Sequence, residues 1–384
     1  MRALICGSGV AGPALAWHLE RAGWDVETVE RSARFRDGGF MIDFYGPGYE
    51  VAERMGLADR LQAVRHPVEE VVYVDAHGRR TGGLTMSPNL TRVVSLLRED
   101  LARVILDDVR SPVRYGTGVA AVEQDGSAVR VRLTDGTERE VDLLVGADGA
   151  HSGVRALVFG PEDRFARYLG HHVAAYVVRD GALSERVGTR YRMLTVPGLM
   201  AGAYALGDDR LAALFLRREP DPAIPANPSR ALREAYGGLG WIVPELLGHR
   251  PSPPELYYDR VTQVEMDRWS AGRVVLLGDA CQAVSLFAGH GASMAMTGAR
   301  VLADELAGAG PEAVPAALER YERRMRPRIR EVQAFGRRFI RWMAPSSRLR
   351  IVARDRLLAL ASLPGADRLF LRALTPGGRS PIPE

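Results

Sequence analysis

The sequence contains no lysine: all 51 basic residues are arginine. No run of arginines is interleaved with aromatics in the way that a single nucleic-acid strand requires, and the net charge is only +4, so nucleic acid is not expected as a partner. Cysteine is nearly absent as well. Cys6 and Cys281 are the only two, neither belongs to a CxxC pair, and a disulfide framework or a zinc site is excluded on that count. No apolar stretch reaches the roughly 18 residues of a membrane span. The N-terminus, "MRALICGSGVAGPALAWHLE", has glycines where a signal peptide needs an apolar core, which makes the cytoplasm the expected location. No HExxH helix, hydrolytic triad or close carboxylate pair is evident either.

What remains is a soluble composition, 46% hydrophobic and 26% charged, in 384 residues, enough for two cores. The first thirty residues read as strand, glycine turn, helix and strand. Gly7, Gly9 and Gly12 fit G-x-G-x-x-G. In that fingerprint one glycine serves the turn, one lets the backbone approach a diphosphate, and one allows the helix to pack on the sheet. The helix start offers its N–H groups to phosphate, and Glu30, ending the strand from Val26, is the acid placed for ribose hydroxyls, with Arg31 beside it. The fingerprint does not by itself separate NAD from FAD.

From Val113 to Val145 short alternating strands with turns at Asp125-Gly126 and Asp135-Gly136 predict an inserted β-meander. Leu143–Val145 then predicts a central strand that ends in the turn Asp148-Gly149. The device recurs at "RVVLLGDACQAVSLFAGHGASMAMTGARVLADEL", where a buried strand ends at Gly278-Asp279 and a glycine-rich segment enters a helix. Residues 166 to 260 predict a second sheet, with inward candidates Tyr176, Arg192, Met193, Tyr204 and Phe215 for a substrate wall; each is equally compatible with an ordinary core position. His171 and His172 lack carboxylate spacing and read as core or surface histidines. "RYERRMRPRIREVQAFGRRFIRW" places Tyr321, Met325, Ile329, Val332, Phe335 and Phe339 at helical spacing on one face.

"GSGVAG" with Glu30, "LLVGADGAHSGVR" and "RVVLLGDACQAVSLFAGHGASMA", in that order, resemble the class A FAD-dependent aromatic hydroxylases of the p-hydroxybenzoate hydroxylase fold. "GGFMIDFYGPGYEVAERMGL" and "SLLREDLARVIL" look closest to the tetracycline-degrading and actinobacterial polyketide monooxygenases. The resemblance implies an α/β fold. A Rossmann-like FAD-binding domain (residues 1–66, 92–165 and 262–308) would carry the inserted meander. A β-sheet substrate domain (67–91 and 166–261) would lie over it, and a C-terminal helical segment (309–384) would bridge the two. It implies cofactor contacts at Gly7, Gly9, Gly12, Glu30, Arg31, Asp43, Arg98, Val119, Asp148, Gly149, Gly278, Asp279, Gly289, Gly291 and Ala292. Arg36 is the candidate for NAD(P)H, and His290 joins the substrate candidates.

The implied reaction uses NAD(P)H to reduce the flavin and O2 to oxygenate a phenolic or polycyclic, polyketide-like small molecule through a flavin hydroperoxide, in a monomer or weak homodimer. Rival readings on the same fold are a reductase or dehydrogenase, a halogenase, and a flavin-binding protein that sequesters a ligand without turnover. The absent lysine and W-x-W-x-I-P segment weigh against the halogenase. Cys281, Gln282 and Leu286 depart from the family's usual residues after the aspartate, and Cys281 reads as a small buried residue of the turn.

Overall fold

The structure, a computed structural model, describes residues 1–35, 40–66, 68–85, 93–252, 255–286 and 289–361. Its first layer grows from the N-terminal strand Arg2–Cys6, which pairs in parallel with Leu143–Gly146 on one side and Asp25–Glu30 on the other. Val274–Leu276 and Val113–Tyr115 extend this sheet in parallel, and Ser270–Ala271 adds an antiparallel edge. Leu4, Ile5, Leu143, Leu144, Val145, Val274 and Val275 are fully buried, as expected of parallel strands covered on both faces. The predicted meander is present as Val119–Gln124, Val129–Leu133 and Glu138–Val141.

The second layer is a seven-stranded sheet in the order Tyr257–Val264, Ala166–Arg179, Arg210–Arg218, Leu199–Gly207, Arg190–Val196, Glu70–Val74 and Arg80–Thr85. One face is covered by the helices Gly181–Val187, Pro228–Tyr236 and Val243–Gly248 over a core that includes Tyr176, Leu194 and Phe215. The other face looks toward the first layer. That second face alone can contribute to a site between the layers.

A helix of 30 residues, Val314–Met343, spans both. Its N-terminal half buries Tyr321, Met325 and Ile329 in the core of the first layer, and its C-terminal half sends Ile340 and Met343 among Tyr73, Met193 and Val261 of the second. The stripe read from the sequence is therefore the seam of the brace, with Phe335 and Phe339 stacked at 5.5 Å. Among the described residues no helix is long and apolar enough to cross a membrane, and no cluster of histidine, cysteine and carboxylate side chains suits a metal ion. His171 and His172 are buried within the second layer, bonded to Leu169 O and the Tyr258 hydroxyl, and burial lowers both pKa values.

Candidate active site

Three turns meet at the C-terminal ends of the parallel strands, and glycine is required there for different reasons. Gly7 has φ +114°, and a Cβ on it would lie 2.3 Å from Ala147 O. A Cβ on Gly12 would lie 2.0 Å from Gly7 O. Both residues are demanded by the fold itself. At Gly9 the nearest protein atom to an added Cβ is an Arg98 guanidinium nitrogen at 3.5 Å, so the protein tolerates a side chain and the glycine leaves a cradle at the start of the helix Ala11–Arg21. No side chain caps that helix and its first turn holds no acid. Its N–H groups and positive end suit a diphosphate.

Glu30 closes the neighbouring strand. Its carboxylate accepts from Ser8 N (3.0 Å), Ser8 Oγ (3.2 Å) and Ser32 N (2.8 Å). Burial raises its pKa, but these donors outweigh it and hold the carboxyl below the usual range. Arg31, the next residue, is exposed, and Val119 begins the meander, its backbone against the buried Cys6 thiol.

The Asp148-Gly149 turn packs directly on the first glycine turn. Asp148 accepts from the Ser152 hydroxyl and from Val154 N at 3.1 Å, capping the helix Gly153–Val158, and Gly149 takes φ +82°. Arg155 on this helix is fully buried and donates to Ala150 O (2.7 Å) and Ala280 O (2.8 Å). It thereby ties the second turn to the third. Arg155 lies within "LLVGADGAHSGVR", and its tie to the third turn is visible only in the fold.

In the third turn Gly278 has φ +64°, and its Cβ would meet the Ala11 side chain at 2.8 Å. Asp279 follows, with Gly291 close enough that a Cβ there would lie 3.9 Å from Asp279 Oδ1. Burial raises the Asp279 carboxyl pKa, partly offset by Arg98. Cys281 is buried and donates to Leu276 O at 3.3 Å, while Gln282 Nε2 reaches Met294 O at 3.2 Å. The helix Gly291–Leu306 starts beside Asp279, again without a side-chain cap or an acid in its first turn.

Between the third turn and the inner face of the second sheet lies a cavity of about 270 Å³. Asp43, Arg98, Asp279, Gly289, Gly291 and Ala292 contribute one side, and Tyr191, Tyr204 and Tyr257 with Val173, Leu214 and Phe339 the other. Asp43 opens toward this cavity and bonds Ser95 Oγ at 2.5 Å; desolvation raises its pKa and the serine partly counters that. Tyr204 accepts from Met41 N and packs edge-on against Tyr191 at 5.4 Å. The Tyr191 hydroxyl is buried with no partner among the described residues.

Several substrate candidates are corrected by this geometry. Tyr176 and Phe215 stack at 5.7 Å in the core under the outer helices, Tyr176 donating to Leu246 O. Arg192 follows Tyr191 in the strand and so points to the opposite face from the cavity. Met193 shares the inner face but packs into the core around Tyr73 and Met200 rather than lining the cavity. His290 turns its ring to Tyr45 (3.2 Å, Nδ1 to hydroxyl) and Phe335, while its neighbours Gly289 and Gly291 line the cavity. Tyr204 alone of the six lines it. Tyr191 and Tyr257, not foreseen, complete the aromatic wall. Arg36 lies outside the described residues.

Residues 1–174 and 256–335 match the FAD binding domain family. The chain belongs to that family. An uncharacterized protein of Mycobacterium tuberculosis (strain ATCC 25618 / H37Rv) is 36% identical over 80% of this chain and 86% of its own. A flavin-dependent monooxygenase of an unknown prokaryotic organism is 30% identical over 87% and 88% respectively. Among solved structures, tetracycline destructase Tet(55) superposes with a TM-score of 0.80 at 27% identity, covering 98% of both chains. This FAD binding domain protein is accordingly an FAD-dependent monooxygenase, as the resemblance implied.

Proposed function

We propose that the chain uses NAD(P)H and O2 to oxygenate a flat aromatic or polycyclic small molecule held in the cavity between its two sheets. One observation carries this reading: a glycine-lined wall with Asp279 and an uncapped helix N-terminus faces a wall of three tyrosines across about 270 Å³. That size is close to the smallest ligand sites, roughly 300 Å³, and suits ring systems rather than macromolecules. The likeness to a tetracycline destructase supports a polycyclic, phenol-bearing substrate.

When bound, FAD supplies the electron and oxygen transfer. In this reading Gly7, Gly9 and Gly12 with the N-terminus of Ala11–Arg21 hold its diphosphate, and Glu30 and Arg31 flank its adenosine ribose. Arg98, Val119, Asp148 and Gly149 border the same groove. Gly278 sets Asp279 against the ribityl hydroxyls. Gly289, Gly291 and Ala292 let the backbone lie along the ring system, where the helix N-terminus favours negative charge. Asp43 borders the ring, and Tyr191, Tyr204 and Tyr257 exclude water and orient the substrate.

The domain limits follow the same scheme: 1–66, 92–165 and 262–308 for the cofactor, 67–91 and 166–261 for the substrate sheet, and 309–384 for the C-terminal segment that carries the brace Val314–Met343, of which 362–384 lie outside the described residues. The protein acts in the cytoplasm as a monomer or weak homodimer. Oxygen uptake with NADPH or NADH, with and without phenolic and tetracycline-like compounds, tests the function. Substrate-stimulated uptake with an oxygenated product is expected; NAD(P)H oxidation without oxygen uptake would favour a reductase instead.

A further inference from the structure

Ser285 stands out in the segment after the third turn. Its φ is +76°, in the left-handed region that glycine tolerates and serine rarely adopts. Its side chain is more than nine-tenths buried, it lines the cavity, and its hydroxyl has no partner among the described residues. Strain and an unsatisfied hydroxyl at one residue both disfavour the fold unless something else fixes the backbone.

The backbone is fixed from behind. Gln263 donates to Val284 O (3.0 Å) and Gln333 O (2.8 Å), and Gln333 donates to Val264 O (2.8 Å) and Ala283 O (3.2 Å). Arg337 donates in turn to Gln263 Oε1 at 2.9 Å. Both glutamines are buried, and Gln333 and Arg337 belong to the bracing helix. The two residues before Ser285 are therefore clamped by a polar network, and the strained residue is presented toward the cavity. In the chain it lies between Asp279 and Gly291, two residues that line the same cavity and are assigned above to the flavin.

We propose that the Ser285 hydroxyl donates a hydrogen bond to the isoalloxazine ring of bound FAD, and that the Gln263–Gln333 clamp holds the strained backbone that aims it. The proposal rests on the reading that places the flavin along this wall. A donor to a ring oxygen or nitrogen stabilises the reduced, more electron-rich ring, so its removal lowers the midpoint potential.

The test titrates apoprotein with FAD and then measures the absorption spectrum and midpoint potential of the bound flavin. The proteins are wild type, Ser285→Ala, Ser285→Gly and, as a control, Asp279→Asn. The expected result for both Ser285 variants is an FAD affinity about fivefold weaker, the loss of one net hydrogen bond, with a shifted flavin band and a lower potential. Ser285→Gly, which relieves the backbone, unfolds at a higher temperature than Ser285→Ala and keeps the test available should the alanine variant fold poorly. Wild-type affinity, spectrum and potential in both Ser285 variants, with Asp279→Asn impaired, would overturn the proposal and leave the flavin placement standing. If Asp279→Asn also matched wild type, the flavin placement itself would fall and the proposal with it.

Discussion

The imidazole of His151 sits between two carboxylates, Nε2 3.1 Å from Asp259 on the second sheet and Nδ1 2.9 Å from Glu162. Asp259 also lines the cavity, so this contact joins the segment after the Asp148-Gly149 turn to the second sheet's side of the cavity.

The hydrogen bond to Asp259 is the main reason that the His151 pKa rises to about 9, burial opposing it and Glu162 adding to it. A folded-state pKa above the unfolded value means that the stabilisation is complete below about pH 6.5 and is lost as pH rises through about 9. His151 is nearly half exposed, so solvent screening limits the effect to about 1 kcal/mol. The thermal stability of wild type should fall between pH 7 and about 9.5, and His151→Gln should remove that part of the slope. An unchanged slope would show that the contact adds nothing.

The glycines of the first turn should separate by role. Gly12→Ala forces a Cβ to 2.0 Å from Gly7 O and should destabilise the protein by about 1 to 3 kcal/mol or more, visible in denaturant unfolding. Gly9→Ala meets only a guanidinium at 3.5 Å; it should keep the unfolding midpoint within about 0.5 kcal/mol of wild type while FAD affinity falls by about tenfold or more. Equal losses of stability in the two variants would contradict this division.

How much of this was legible in the sequence follows from where the information resides. The three glycine and aspartate turns are local devices, and each could be read from a few adjacent residues together with the strand before it. The tyrosine side of the cavity was less legible. The segment of Ala166–Arg179 from His171 to Tyr176 is buried throughout, so its sequence carries no alternation to say which face meets the cavity. Tyr176 and Tyr191 look alike as residues, and only the pairing of strands and the outer helices assign them to opposite faces. Arg155 and Gln333 act on backbone atoms 125 and 69 residues away, a relationship that no local pattern encodes.

The two inner tyrosines should respond oppositely to loss of the hydroxyl. Tyr191→Phe removes a buried hydroxyl without a partner among the described residues, and should leave the apoprotein unchanged or more stable by up to about 1 kcal/mol. Tyr204→Phe removes the acceptor of Met41 N and should cost about 1 kcal/mol or more. For turnover the order reverses in one respect. A substrate that bonds to Tyr191 should show a raised KM in Tyr191→Phe with kcat less affected, and an unchanged KM would exclude Tyr191 from substrate recognition.

Arg155→Met should be the most damaging of the buried changes near the site. It strips the donor from Ala150 O and Ala280 O, while Glu162 loses the Arg155 guanidinium at 3.6 Å but keeps Arg260 at 3.2 Å. A loss of about 3 kcal/mol is expected from two carbonyls deprived of a charged donor, with weaker FAD binding because the second and third turns are no longer tied. A variant as stable as wild type would show that the turns are held by other contacts.

The central claim, that this chain folds around FAD between its glycine turns and the tyrosine wall, is tested most directly by the absorption spectrum of the purified protein and the identity of the cofactor that heat releases from it. The prediction is a yellow protein with flavin bands that releases FAD. A colourless protein that also fails to take up added FAD would contradict it.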